Sequence, residues 1–344
     1  MREFPRHRGI ALAVGLSLLC FLVCSSGVGA AAAASAPAPA PKDPPVDMVG
    51  AFTLDNSVPL EYMYVDDTNA GEGTYYSYPA ATVDSYVAAV EKQVSYFRKR
   101  YRDAATPISP QAQAQAQPPN KKYWPMSAMC KYADSHIQGK DVAIFGSIDP
   151  YIESLVFALG ARRVVTFEHN ELTIEKPGVW EGVTGERYSS LLARFHDGAS
   201  KECTNADIDT DPDTDTDIDT DTDTDTDTDT HEFYSQFDAV ISISSFDHSG
   251  LGRYGDTLDP QGDLKAMQFA KSVLKKQGKG VLLVSVPVGP DVVVFNLHRR
   301  YGEKRLPLLL QGLTQREVLF WDEARLTSEA NWRQTYEPVF VLTA

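Results

Sequence analysis

The chain has 344 residues, 43% of them hydrophobic, which is enough to bury the core of one large domain or two modest ones. Its formal net charge is −15 at pH 7, but the acidity is concentrated in residues 207–229, where every second residue is Asp. No basic, aromatic-rich cluster typical of a nucleic-acid groove is present, so no nucleic-acid partner is expected.

The amino-terminal residues have the composition of a targeting segment. Arg2, Arg6 and Arg8 precede an uncharged stretch over residues 9–41. Basic residues before an apolar run predict a secretory signal peptide or an uncleaved signal anchor over residues 1–29. Either form would send the protein into the secretory pathway, as a lumenal, single-pass membrane or secreted protein that contacts the membrane through this segment only.

An extension precedes the main domain. Residues 30–47 are an Ala- and Pro-rich linker that is expected to be disordered, and residues 48–103 contain short strand-like runs followed by a helix. Apolar residues recur at helical spacing over 82–103, which predicts an amphipathic helix packed against the main domain. A second low-complexity linker, residues 104–120, separates this extension from the rest of the chain.

Residues 121–344 have the pattern of one α/β catalytic domain. It is interrupted by the Asp-Thr repeat over residues 207–230, which is expected to be disordered because it offers no apolar face. Elsewhere short apolar runs alternate with helical segments, which indicates a doubly wound, mostly parallel sheet. The predicted strands are 142–145, 163–167, 237–243, 281–286, 317–321 and 338–342, and the predicted helices are 151–159 and 264–274.

The first strand, turn and helix of this domain have features of a cofactor site. Gly146 and Ser147 follow the first strand, and Glu168 ends the second, about 20 residues later, where a carboxylate can hold ribose hydroxyls. The usual GxGxxG pattern is absent, and a glycine at a strand end can equally be only a turn. Asp149 in the turn would repel a pyrophosphate, so the cationic cofactor S-adenosylmethionine suits this turn better than a dinucleotide does.

Residues 244–256 carry the densest set of reactive side chains and directly follow a predicted buried strand, where doubly wound sheets bind ligands. Their glycines would let the backbone approach a ligand closely. We expect His248 to accept a proton from a substrate hydroxyl, with Asp247 or Asp256 fixing its tautomer, and Arg253 to bind an anionic group. In the structural alternative, Arg253 and Asp256 form a salt bridge that holds the loop, and His248 caps the next helix.

A second polar patch, residues 296–302, follows the next strand-like run and contains His298 and Arg299. Two such patches after successive strands can converge on one site, to which His298 would then contribute. The alternative is that residues 300–305 form only a solvated basic turn. No Cys-x-x-Cys pair or Cys/His cluster indicates a metal, and none is expected.

These segments resemble an uncharacterised family, domain of unknown function 268. The resemblance lies in Phe-Gly-Ser at 145–147, Gly-Leu-Gly-Arg-Tyr-Gly-Asp at 250–256 and His-Arg-x-Tyr-Gly at 298–302, and it covers residues 49–344 apart from the low-complexity insertions. At fold level the family is similar to class I S-adenosylmethionine-dependent methyltransferases. This similarity implies a Rossmann-like sheet of the class I methyltransferase type, closed by a hairpin of the last two strands.

The same resemblance implies roles for individual residues. Gly146 and Ser147 would bind the methionine end of S-adenosylmethionine, and Glu168 would bind its ribose. Ser244 and Ser245 would lie beside the sulfonium, at the end of the fourth strand of the sheet.

The function expected from these residues is transfer of a methyl group from S-adenosylmethionine to an oxygen of a glycan or small polar acceptor. One alternative is a non-catalytic carbohydrate-binding module of the same fold, and a weaker one is a hydrolase with Asp247 and Asp256 as paired carboxylates. The candidate catalytic or substrate-binding residues are Asp247, His248, Arg253, Tyr254, Asp256 and His298, of which the binding module would use Arg253, Tyr254 and His298.

Overall fold

The computed structural model describes residues 41–68, 74–103, 120–202, 233–328 and 331–344. In chain order its strands are β1 (Leu60–Tyr62), β2 (Tyr75–Tyr78), β3 (Asp141–Phe145), β4 (Arg163–Glu168), β5 (Glu171–Ile174), β6 (Trp180–Thr184), β7 (Ala239–Ile243), β8 (Val281–Ser285), β9 (Val292–Phe295), β10 (His298–Arg300), β11 (Thr314–Leu319) and β12 (Val339–Thr343). The α-helices are α1 (Val49–Phe52), α2 (Ala80–Asp103), α3 (Trp124–Lys131), α4 (Tyr151–Ala158), α5 (Gly185–Glu202), α6 (Gly262–Val273) and α7 (Arg305–Leu309).

Seven strands form the main sheet in the order β6-β4-β3-β7-β8-β12-β11. The first five of these are parallel, whereas β12 runs antiparallel to both of its neighbours. The chain order reverses between β3 and β7, which is the switch point where doubly wound sheets bind ligands. The predicted α/β class, the doubly wound mostly parallel sheet and the closing hairpin are confirmed.

The central strands are continuous apolar runs because both faces of the sheet are covered. Every residue of β8 is buried, and only the first residue of β3 and the last of β7 are partly exposed. Phe145 at the end of β3 stacks on Phe167 in β4, with ring centroids 4.8 Å apart. The core therefore extends to the carboxyl ends of the strands and forms the floor beneath the switch point.

The amino-terminal extension is joined to the domain by strand pairing. β1 pairs in parallel with β9, which is the inner strand of a small three-stranded sheet with β10, and β2 pairs in parallel with β5. α2 packs on α3 and α4 through a buried stripe at helical spacing, which confirms the predicted amphipathic helix. Strands far apart in sequence thus pair with one another.

The structure adds elements that the sequence patterns do not predict. Residues 171–202 contain β5, β6 and α5, and α5 brings the buried Tyr188 to the sheet. The predicted targeting segment at 1–29, most of the linkers at 30–47 and 104–120, and the repeat at 207–230 lie outside the described residues. Of the helices within the described ranges, none combines the length and apolarity that crossing a bilayer requires.

Candidate functional site

A cleft lies at the carboxyl ends of β3, β4 and β7, beside the switch point. The cleft has a volume of about 160 Å³. The loop that carries His248 and the acidic end of β4 border this one cleft. The sequence-predicted residues that line it are Gly146, Ser147, Glu168, Ser244, Ser245, His248, Tyr254 and Asp256.

Gly146 allows two strand ends to pack together rather than opening space for a ligand. Its φ is +77°, a left-handed conformation that favours glycine, and a Cβ at this position would lie 2.0 Å from Oγ of Ser245. The loops after β3 and β7 are thus in direct contact. The floor of the cleft is fixed by this contact between Gly146 and Ser245.

Glu168 is buried and held by backbone and side-chain donors. Its Oε2 accepts a hydrogen bond of 2.7 Å from the backbone N–H of Ser147, and its Oε1 accepts bonds of 2.9 and 2.8 Å from the backbone and side-chain amides of Asn170. A carboxylate offers about four lone-pair positions, two on each oxygen. Oε2 can therefore accept one further hydrogen bond.

His248 joins the loop after β7 to the hairpin of β9 and β10. Its Nδ1 lies 2.5 Å from the carbonyl oxygen of Leu297, and because a carbonyl can only accept, Nδ1 carries a hydrogen. Leu297 thus fixes the tautomer, a role that the sequence predicts for Asp247 or Asp256. The alternative in which His248 caps the next helix is wrong, and the two polar patches do converge.

Asp247 lies beneath this histidine and is 1% exposed. Its Oδ2 is 3.4 Å from Nε2 of His248, and its Oδ1 is buried with no hydrogen-bond partner among the described residues. Asp247 does not line the cleft itself. It is a buried negative group directly behind His248.

Asp256 shapes the glycine-rich loop. Its carboxylate accepts hydrogen bonds from the backbone N–H groups of Gly250 and Tyr254, at 2.7 and 3.3 Å. Gly250, with φ of +78°, lies so close to the next turn that a Cβ would meet the carbonyl oxygen of Asp259 at 2.1 Å. This glycine therefore serves close packing within the loop, and not the approach to a ligand that the sequence suggests.

Arg253 is paired with the amino-terminal extension. Its Nε donates to Oδ2 of Asp67 at 2.6 Å, and its guanidinium lies over the ring of Tyr254 with the centroid 5.0 Å away. The alternative in which Arg253 forms a salt bridge with Asp256 is therefore wrong. Since its charge is balanced by Asp67, Arg253 is a weaker candidate for binding an anionic substrate than its sequence position indicates.

His298 and Glu337 lie on the other side of His248 and Asp247. Burial is the main cause that lowers the pKa of His298 to about 4, so this ring is neutral at pH 7. Burial, together with the negative charge of Asp247, raises the pKa of Glu337 to about 7, and its carboxyl is hydrogen-bonded to the side chain of Ser244. Glu337 is not predicted from the sequence because it lies in an irregular segment before β12, without a local motif.

The part of the chain that carries the glycine-rich loop and the β9–β10 hairpin matches a known family. Residues 194–330 match the model of a family described as "Caenorhabditis protein of unknown function, DUF268". The chain therefore carries a DUF268 match, as its motifs indicate. Among curated proteins, none matches the chain.

Several solved structures are similar to the chain at low identity. A methyltransferase dependent on S-adenosylmethionine from Mesorhizobium loti is 10% identical with a TM-score of 0.34, covering 63% of this chain and 98% of that chain. A similar enzyme from Aquifex aeolicus is 12% identical with a TM-score of 0.32, covering 69% and 99%. A putative Zn-dependent alcohol dehydrogenase from Rhodobacter sphaeroides is 12% identical with a TM-score of 0.30, covering 60% and 84%. All three TM-scores are below 0.5, so these similarities support no statement about the fold or the activity of this chain.

The His-Arg-x-Tyr-Gly motif of the DUF268 match is part of a buried ion cluster. Arg299 and Arg305 are 0% and 1% exposed, and both face the buried Asp263, at 3.7 and 2.6 Å. Tyr301 donates to the same carboxylate at 2.9 Å. The alternative of a solvated basic turn is therefore wrong: these residues tie the hairpin, and with it His298, to the start of α6.

Proposed function

We propose that this protein transfers a methyl group from S-adenosylmethionine to an oxygen of a glycan or small polar acceptor. The observation that carries the proposal is that Glu168 and His248 line one cleft at the switch point of a doubly wound, mostly parallel sheet. Such a transfer needs a group that holds the cofactor in place, for which Glu168 can accept one more hydrogen bond. It also needs a group that can take a proton from the acceptor, which His248 can provide.

The residues around the cleft fit the cofactor in their chemistry. Glu168 offers a lone pair for a ribose hydroxyl, Phe145, Phe167 and Tyr188 offer an apolar and aromatic wall, and Ser244 offers a polar end. The cleft, with a volume of about 160 Å³, is smaller than small-molecule sites usually are, since these begin at roughly 300 Å³. We therefore expect the cofactor to be enclosed at one end only and to extend through the open mouth of the cleft. When bound, it supplies an activated methyl group on a positively charged sulfur.

The protein's own contribution is to orient the acceptor and to hold its proton. The carbonyl of Leu297 keeps Nδ1 of His248 protonated, so Nε2 is the atom that can receive a proton. A proton on Nε2 forms an ion pair with Asp247, whose oxygen is 3.4 Å away. Positioning supplies most of the rate acceleration, and this proton transfer adds to it.

The alternative of a non-catalytic carbohydrate-binding module has less support. Of its three residues, His298 is buried, and Arg253 is paired with Asp67. Only Tyr254 lines the cleft. We therefore favour the transferase.

The compartment of the protein is also a proposal. The basic and apolar residues at 1–29 support entry into the secretory pathway, with the domain lumenal or secreted and the membrane contacted only through that segment. The acidity of the chain supports the absence of a nucleic-acid partner. A lumenal enzyme would need cofactor imported into its compartment.

Calorimetric titration of the full chain with S-adenosylmethionine and S-adenosylhomocysteine tests the proposed function. We expect binding by the unaltered protein and a loss of roughly tenfold or more in Glu168→Gln, since a charged hydrogen-bond acceptor is removed. Glu186→Gln, on the exposed first turn of α5, is the matched control and should bind normally. An absence of binding heat in the unaltered protein, beside a working control methyltransferase, rules the proposal out.

A further inference from the structure

A buried polar chain runs beneath the loop between β3 and α4. Trp180 donates from Nε1 to Oγ1 of Thr166 at 3.0 Å, and Thr166 donates to Oε1 of Glu153 at 3.0 Å. Oε2 of Glu153 lies 3.0 Å from Oγ of Ser147, which itself lies 2.8 Å from the carbonyl oxygen of Asp149. Glu153 is 0% exposed, so its carboxyl group is shielded from solvent.

The number of available hydrogens decides which group donates and which accepts in each hydrogen bond of this network. The hydroxyl of Ser147 has one hydrogen but lies within bonding distance of two oxygens, the carbonyl of Asp149 and the carboxyl of Glu153. Both contacts are hydrogen bonds only if Glu153 is protonated and donates to Ser147, while Ser147 donates to Asp149. Each side-chain donor from Trp180 to Ser147 then makes one hydrogen bond, and the carbonyl oxygen of Asp149 accepts one.

The groups around Glu153 agree with this protonation state. Burial is the main cause that raises the pKa of Glu153 to about 7, and the negative charge of Asp149 adds to it. From neighbouring elements, Tyr78 of β2 faces the same region, and Glu168 of β4 binds the backbone of Ser147 on the far side of the loop. Hydrogen bonds to the carboxyl, from its own backbone N–H among others, lower this pKa without cancelling the effect of burial, and no cation among the described residues contributes to the shift.

We propose that protonated Glu153 is a positioning residue that holds residues 146–150 in the shape that presents them to the cleft. When Glu153 loses its proton, its Oε2 competes with the carbonyl of Asp149 for the single hydrogen of Ser147. One hydrogen bond within the loop is then lost, and the loop opens locally. This inference rests on the proposed function only for its consequence, which is that cofactor binding at this loop weakens above neutral pH.

Two readouts on the protein without cofactor test the proposal directly. Difference infrared spectra follow the carbonyl stretch of protonated carboxyls through a pH titration, and Glu153→Gln should remove a band that otherwise persists to a pH near 7. Glu337, whose pKa is also raised to about 7, gives a second band, which Glu337→Gln identifies. If Glu153→Gln leaves the spectrum unchanged, Glu153 is ionised at neutral pH and the proposal is wrong.

Amide hydrogen exchange at residues 147–151, corrected for the intrinsic effect of pH, measures the shape of the loop. Because one hydrogen bond is lost, protection should fall roughly fivefold between pH 6 and pH 8.5 in the unaltered protein. Gln at position 153 can donate to Ser147 and accept from Thr166 at any pH, so Glu153→Gln should keep full protection, whereas Glu337→Gln should behave as the unaltered protein does. Equal pH dependence in Glu153→Gln and the unaltered protein overturns the proposal, whether or not the cofactor binds.

Discussion

Nε2 of His248 faces Oδ2 of Asp247 at 3.4 Å, while the carbonyl of Leu297 holds the opposite nitrogen of the same ring. The one ring atom that can receive a proton is therefore turned toward a buried carboxylate. The other oxygen of Asp247 is buried and has no hydrogen-bond partner among the described residues, so a proton that reaches Nε2 would bring a positive charge to this carboxylate.

Asp247→Asn should lower methyl transfer about 100-fold, because the ion pair that stabilises protonated His248 is removed while the shape of the side chain is kept. The affinity for S-adenosylhomocysteine should change little, because Asp247 does not line the cleft. Release of S-adenosylhomocysteine measures the first effect and calorimetry the second. Unchanged turnover in Asp247→Asn would show that His248 acts without this carboxylate.

Asp263→Asn should destabilise the protein by about 3–5 kcal/mol, since it leaves Arg299 and Arg305 buried without a counter-charge. Urea unfolding measures the free energy. Asp322→Asn, at the exposed N-cap of a short helical turn over Glu323–Leu326, is the control and should change it by less than about 0.5 kcal/mol, because Asn caps a helix as well as Asp does. If Asp263→Asn lowered the free energy of unfolding as little as the control does, this ion cluster would not be important for stability.

Gly250→Ala should cost far more stability than Gly178→Ala. Both glycines have left-handed φ, +78° and +77°, but a Cβ at Gly250 would meet the carbonyl oxygen of Asp259 at 2.1 Å, whereas nothing lies within 4 Å at Gly178. Gly178→Ala should cost about 1 kcal/mol from backbone conformation alone. Thermal unfolding of both variants isolates the effect of the clash, and equal losses would mean that the loop is not closely packed there.

His298 makes stability depend on pH in a defined direction. Its pKa is about 4 in the folded protein, against an ordinary value of 6.5, so the unfolded chain binds a proton between these values that the folded chain does not. The stability contributed by neutral His298 is therefore full above pH 6.5 and is lost as pH falls through 4, by about 3 kcal/mol in total.

Denaturant unfolding of the unaltered protein and of His298→Asn from pH 7 to pH 4 measures this effect. The variant should lose less stability on acidification, and the difference between the two curves should grow as the pH falls. Because Glu153 and Glu337 are present in both proteins, their titration cancels in this difference. Parallel curves would mean that His298 titrates normally in the folded state.

Local patterns predicted much of the fold. β3, β4, β7, β8 and β12 fall at predicted positions, because burial of a strand on both faces leaves a continuous apolar run in the sequence. β11, an edge strand with an exposed first half, begins three residues before the predicted run at 317–321. The elements at 171–202 were not assigned, since β5 and β6 are short and mix polar with apolar residues. The density of polar groups in the loop at 244–256 identified it as a candidate site. The partners and roles of the individual residues in this loop were not predicted correctly.

The sequence by itself determined the α/β class, the positions of the central strands and the two polar segments around His248 and His298, because these follow from hydrophobic periodicity and from local motifs. Only the tertiary structure decided the partners of the individual charged groups. Arg253 binds Asp67 from 186 positions away, and Glu337 reaches Ser244 from the far end of the chain. The direction of a side chain and the partner that it meets depend on how distant strands pack, which no local pattern records.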